Sequence, residues 1–236
     1  MDAITRHAEG LWTVALPFSL MGLAIGARST VAKLPSGGLA LISPGPFRDE
    51  HVDAIRRLGD VVAIVAPNKF HHLFLGKAAQ AFPKAQVLLA PGLRRKVPTL
   101  PAGADLDEAP PEAWSGALER VVMSGSTAGE VVFFHRPSRT LILTDLAFNI
   151  TRGGVWTRLA MKLNGGFGEL STTRLMRATI RDPDAYARSL QAILRWDFDR
   201  LVVAHGDVLE SGARQAFERT FAPWLGRAPD LRPSPQ

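Results

Sequence analysis

Three stretches of this chain place a polar, ligand-capable residue directly behind an apolar run. They are IVAPNKFHH, ending at His71 and His72; LILTDLAFN, with Asp145; and LVVAHGD, with His205. Short runs rich in valine, isoleucine and leucine suit buried strands, and the loops just past strand ends carry the chemistry of layered α/β folds. Brought to one point, two or three imidazoles and a carboxylate make a ligand set for zinc, and a workable one for iron or manganese. Three protein ligands leave a coordination position open. A divalent metal held that way lowers the pKa of a bound water to about 7 and supplies hydroxide as a nucleophile. His71, His72, Asp145 and His205 are therefore the candidate ligands, with Asp145 also able to orient the water or act as general base.

Each candidate has a plainer use. One of two adjacent histidines can simply cap or pack, and Asp145 can cap the segment after its strand. Asp207 reads equally as a turn residue or as the carboxylate that accepts the second N–H of a ligating imidazole. His135, behind VVFF, reads as a hairpin residue, and His7 and His51 as surface residues. Ser126 in GSTAG has no base motif beside it and is a poor nucleophile candidate.

Composition narrows the chemistry. The 236-residue chain has no cysteine, which excludes disulfides, thiolate metal sites and a cysteine nucleophile. Any metal must be held by histidine and carboxylate. The 28 Lys+Arg against 22 Asp+Glu give a formal +6, without the dense basic block that marks a nucleic-acid arm. The expected partner is a small molecule, anionic if the charge balance guides it, and not nucleic acid. Residues 11–27, LWTVALPFSLMGLAIGA, are apolar but interrupted by Pro17 and short of the roughly 20 residues a membrane span needs. They read as a buried strand and an apolar loop, without stable membrane insertion, and the expected location is the cytoplasm.

The elements that must position these residues alternate. Strands read at 11–16, 29–34, 39–42, 61–66, 86–90, 121–123, 130–135, 140–143 and 201–204. Between them, DEHVDAIRRL spaces Val52, Ile55 and Leu58 three apart, which suits an amphipathic helix over 49–58. Further helices read at 75–82, at 183–196 with Asp182 as N-cap before Pro183, and at 213–225. Residues 98–111 form a proline-rich excursion. Residues 149–183 read as a helical insert, two helices joined through NGGFG. Their apolar positions suit a lid or the surface of a homodimer. Their basic residues favour anionic substrates or a membrane surface, a solvated face being the default. One domain is expected over 1–226, with 227–236 a frayed tail. Strand–helix alternation argues a layered α/β architecture.

Order and spacing together resemble the metallo-β-lactamase superfamily over nearly the whole chain. Its (I/V)-D-x-G loop corresponds to LALISPGP, its H-x-H-x-D-H loop to PNKFHH, its GHTPG turn to GSTAG, its GD aspartate to Asp145 and its late GH histidine to His205. The PN..HH form, with GARSTVAKLPSGGL and WDFDRLVVAHGD, is similar to the DUF4336-type branch. The resemblance implies a four-layer αββα sandwich and a metal-dependent hydrolase. It also implies two metal positions, and here the chain departs from it. Pro67, Lys69 and Ser126 stand where the first position takes three histidines, whereas His71, His72, Asp145 and His205 keep the second. The expectation is one divalent metal, zinc before iron or manganese, with the Lys69 ammonium filling the vacated place beside Asp145 as a second catalytic group. The implied reaction is hydrolysis of a small ester, thioester or lactone. The alternative is a non-catalytic binding or interaction module that keeps the fold around an empty or structural site.

Overall fold

The structure, a computed structural model, describes residues 3–106 and 114–226. The first half runs β1 (Thr5–Ala8), β2 (Leu11–Leu16), β3 (Ser19–Leu20), β4 (Leu23–Ala24), β5 (Ala27–Lys33), β6 (Leu39–Ile42), α1 (Asp49–Leu58), β7 (Val61–Ala66), α2 (Leu75–Ala81), β8 (Gln86–Leu89), α3 (Leu93–Lys96) and β9 (Ala104–Asp105). The second half runs β10 (Leu118–Val122), β11 (Val131–His135), β12 (Thr140–Ile142), α4 (Val155–Leu163), α5 (Arg174–Arg177), α6 (Pro183–Ile193), β13 (Arg200–Val202) and α7 (Ala213–Leu225). Seven strands form one sheet in the order β1-β2-β5-β6-β7-β8-β9, four form a second in the order β10-β11-β12-β13, and β3 and β4 form a separate hairpin.

Side-chain alternation builds the layers, because successive residues of a strand point to opposite faces. Leu39 and Leu41 of β6 pack with Ile55 of α1 and Leu75 of α2, while Ala40 and Ile42 pack with Val131 and Phe133 of the second sheet. The second sheet repeats the arrangement: Val132 and Phe134 of β11 turn away to meet Leu190 of α6 and Phe217 and Phe221 of α7. The order is helix, sheet, sheet, helix, the expected αββα sandwich. No helix among the described residues is long and apolar enough to cross a membrane.

Several elements match the sequence reading closely, including β6, α1, β7 and α7. Asp182 caps α6 by accepting from the Asp184 and Ala185 amides, with Pro183 in the first turn. Strand β10 begins three residues before the expected start, since an edge strand tolerates Glu119 and Arg120. The proline-rich excursion contains β9, paired in parallel with β8. The tail over 227–236 lies outside the described residues.

Strands β6, β7 and β8 are parallel in the first sheet, as are β12 and β13 in the second. Their C-terminal ends deliver Ser43, the 67–74 loop, Asp145 and His205. Arg28 of β5 ties the two sheets together there, donating from Nη1 to the carbonyls of Val203 and Gly206.

Candidate metal centre

His71, Asp145 and His205 meet where these strand ends converge, each offering one ligand atom, all within 4.8 Å of one another. His71 Nε2 lies 3.1 Å from Asp145 Oδ2, and His205 Nε2 lies 3.5 Å from Asp145 Oδ1. Both rings are oriented from behind. His205 Nδ1 donates to the Gly26 carbonyl at 2.6 Å, which turns Nε2 toward Asp145. His71 Nδ1 sits 2.6 Å from the Ser43 hydroxyl. Ligating imidazoles are commonly fixed by such hydrogen bonds to their second nitrogen. Ser43 holds a left-handed backbone (φ 57°), and its amide donates to the Val65 carbonyl while its own carbonyl accepts from Ser29 Oγ. A non-glycine residue held that way costs on the order of 1–3 kcal/mol, so the surrounding bonds must impose it. Phe148 stacks on the His205 ring, 5.3 Å between centroids at 11°.

Asn68 is the hub beneath the ligands. Its Oδ1 accepts from the amides of Phe70 and His71, both at 2.8 Å, and so sets the loop that carries His71. Its Nδ2 donates to Asp145 Oδ2 at 2.8 Å and to Thr144 Oγ1 at 3.0 Å. Glu130 holds the Asp145 backbone: its carboxylate accepts from the amides of Thr144 and Asp145.

The charges are strongly coupled. Burial alone would push the Asp145 carboxyl up, but the imidazoles of His71 and His205 outweigh it and hold Asp145 well below the usual carboxylate range. Burial likewise opposes a proton on His71, yet Asp145 outweighs it and raises that pKa. Burial and the neighbouring Asp145 charge push Glu130 up to about 7. Without a metal, both imidazoles face the one carboxylate.

This donor set fits a divalent cation. Four ligands at about 2.0–2.1 Å in a tetrahedron stand about 3.3 Å apart. The Nε2 atoms stand 3.1 Å from Asp145 Oδ2 and 3.5 Å from Oδ1, close enough to that spacing for a cation to draw one oxygen and both imidazoles together. Two imidazoles and one carboxylate also leave a fourth position for water or substrate.

The remaining sequence candidates lie elsewhere. His72 is outside the three-residue cluster; it lines the adjoining cavity, and its buried Nδ1 has no hydrogen-bond partner. Burial, then the Lys96 charge, lowers its pKa. Lys69 sends its ammonium to the Thr127 carbonyl at 3.1 Å, and no ion pair joins it to Asp145 among the described residues. The expected stand-in for the first metal position is thus turned onto the GSTAG backbone. Ser126 is likewise engaged, bonded to Thr179 Oγ1 and to the Ala128 amide. Asp207 accepts from Thr151 Oγ1, and its amide and carbonyl both bond Asn149. His135 ends β11 at a hairpin, as expected. His51 is not a surface residue: it is buried and accepts from the Arg48 amide at the start of α1.

Sequence reasoning missed Ser43, Asn68 and Glu130. Only Glu130 left a signal, an acidic residue opening the otherwise apolar run EVVFF. Ser43 and Asn68 read as ordinary turn residues in SPGP and PNKF.

The cluster opens into a cavity of about 490 Å³ with overwhelmingly apolar walls. Phe18 to Ile25 of the β3–β4 hairpin, Phe70 to Phe74, and Met161 and Met176 from α4 and α5 surround it. Neither Lys69 nor the 149–181 segment fills it; that segment supplies one wall.

Residues 8–98 match a family model described as a domain of unknown function, DUF4336. No match is found among curated protein sequences. Solved structures match over nearly the full length. A metallo-β-lactamase from Erythrobacter litoralis, crystallised with β-mercaptoethanol in its active site, is 17% identical at a TM-score of 0.65, covering 93% of this chain and 94% of its own. One from Hirschia baltica is 11% identical at 0.64, covering 97% and 98%. FIM-1 from Pseudomonas aeruginosa, in its mono-zinc form, is 15% identical at 0.64, covering 92% of each chain. Identities this low carry the fold alone. The chain has the metallo-β-lactamase fold, and residues 8–98 within it match the DUF4336 model.

Proposed function

We propose that this protein is a mononuclear metal-dependent hydrolase of an ester, thioester or lactone with a largely apolar acyl portion. The observation that carries this reading is the meeting of three ligand atoms, His71 Nε2, an Asp145 carboxylate oxygen and His205 Nε2, on the wall of a 490 Å³ apolar cavity. Zinc suits two imidazoles and a carboxylate best, with iron or manganese next. When bound, such a cation supplies Lewis acidity toward water and toward a carbonyl.

The chain's own residues do the rest. His71 and His205 hold their rings through Ser43 and Gly26, and Asp145 is kept ionised between them. Asn68 fixes one oxygen of Asp145, which leaves the other to orient the attacking water. His72 lines the cavity beside the three ligands, and the cavity's apolar wall excludes bulk water around the substrate's tail. Lys69 has no part in this scheme, its ammonium being held by Thr127.

The test is metal content by elemental analysis of tag-free protein, followed by hydrolysis of nitrophenyl esters and acyl thioesters of increasing chain length. About one equivalent of divalent metal is expected from a single three-ligand site. It should be lost in His71→Ala, His205→Ala and kept in His72→Ala, whose turnover falls. Absence of metal, with none taken up on adding zinc, iron or manganese, would sink the hydrolase reading and leave a non-catalytic binding module.

A further inference from the structure

Large exposed apolar side chains are not scattered over this molecule. Ten occur among the described residues, and all but Val62 lie on the segments that frame the cavity. Leu20 and Met21 tip the β3–β4 hairpin, Phe70 and Leu73 follow β7, and Leu175 sits on α5; all five both line the cavity and face solvent. The rest belong to α4, which packs against β4. Its Thr157 and Met161 turn inward, while Val155, Trp156, Leu159 and Leu163 fall on one outward arc at about 100° per residue. Met21 is 94% exposed and Trp156 75%. A contiguous apolar rim of this kind marks an interaction surface.

Charge identifies the occupant. Residues 149–181 hold six basic residues and a single acidic one, Glu169, so this segment carries five of the chain's six excess positive charges. Arg158 and Lys162 flank the apolar arc of α4, and Arg174 and Arg177 lie on α5. Among the described residues none of these four forms an ion pair with a carboxylate. Apolar residues with tryptophan on one arc and basic residues beside them are the signature of a helix lying in a lipid headgroup layer. A second copy of the chain fits less well, since a two-fold interface would press this basic segment against itself.

We infer that the cavity mouth, framed by the β3–β4 hairpin, α4 and α5, docks on an anionic phospholipid surface and takes its apolar ligand from there. The docking itself stands apart from the hydrolase reading. The hairpin tip and α4 seat among the acyl chains at the interface, the basic residues meet headgroup phosphates, and the cavity opens toward the bilayer instead of water.

The experiment is co-sedimentation of the full chain with phosphatidylcholine vesicles and with vesicles in which a minority is replaced by phosphatidylglycerol. Partition should be at least about tenfold stronger to the anionic vesicles and should weaken with added salt. It should be lost in two exposed-site double variants, Met21→Ser with Trp156→Ser and Lys162→Glu with Arg174→Glu, each checked for an unchanged melting temperature. The His71→Ala, His205→Ala variant should bind vesicles as the parent does, so failure of the metal reading leaves this result intact. Equal partition of parent and double variants, or none at all, overturns the inference. So does a concentration-dependent dimer in ultracentrifugation that Met21→Ser with Trp156→Ser dissolves, which assigns the face to a second copy.

Discussion

Asn68 is fully buried and bonded through both ends of its amide, to two backbone N–H groups above and to Asp145 and Thr144 below. Removing one partner from buried polar groups costs more than the bond contributed, about 1–3 kcal/mol, because the groups left behind remain desolvated. In Asn68→Ala the amides of Phe70 and His71 lose their acceptor and Asp145 loses a donor at once. For a chain of this size about 2–4 °C of melting temperature corresponds to each kcal/mol. Calorimetry should show a drop of several degrees, and metal titration a weakening of about 10–100-fold, typical when a group that orients a ligand is removed. A variant that melts and binds as the parent does would mean the Asp145 and His71 positions are set elsewhere. None of this was visible in PNKFHH, where both histidines stood out and the asparagine did not. Chemistry at the residue scale is legible when a side chain is rare; a common turn residue gains its role only from what the fold brings near it.

At the scale of elements, the β13–α7 connection shows how tightly His205 is placed. Gly206 follows it with φ 104°, and a Cβ there would stand 2.0 Å from the Asn149 carbonyl oxygen. Asn149 in turn donates its amide to the His205 carbonyl, and its carbonyl accepts from the Asp207 amide. The obstacle in Gly206→Ala is backbone, not a flexible side-chain end, so the loop must move. The left-handed conformation adds about 1 kcal/mol or more of strain. Chemical denaturation should give a loss of at least about 2 kcal/mol, with loss of the bound metal in the same preparation. An alanine variant of parental stability and metal content would show that the 149 and 206 segments separate freely. Two of the strands that place the site were legible as apolar runs closed by proline, LALI before SPGP and VVAIVA before PNK. Helix α1 was legible from its three-residue period. Strands β3, β4 and β9 were not, having two residues each and so no period to read. The cavity is built by that unread hairpin, which is why the size and apolar character of the site came only from the fold.

For the whole molecule, the seam between the two sheets carries a titratable group of its own. His135 ends β11 of the second sheet, is 1% exposed, and reaches across to the Lys33 carbonyl of β5 at 3.4 Å, with Ser138 Oγ on its other nitrogen at 2.7 Å. Gly10, in the β1–β2 turn, packs against the same ring. Burial lowers its pKa, only partly offset by the Lys33 carbonyl. The folded state therefore disfavours a proton that the unfolded chain accepts near pH 6.5. Between that value and the lower folded pKa the unfolded state binds more protons, so stability falls as the pH falls, by up to about 1.4 kcal/mol per unit of separation. Asp145, also held below its ordinary value, adds a loss in the same direction, but only once the pH drops below the usual carboxylate range. The two are separable by pH window and by substitution. Urea unfolding of metal-free protein should show the parent losing stability relative to a His135→Gln variant from about pH 6.5 downward. In His135→Gln, which keeps a neutral donor and acceptor at the seam, the raised Glu130 and His71 should leave the opposite slope, stability gained as the pH falls toward the carboxylate range. Parallel curves for parent and variant between neutrality and that acid limb would mean the seam admits the charge without cost, through water reaching His135 between the sheets.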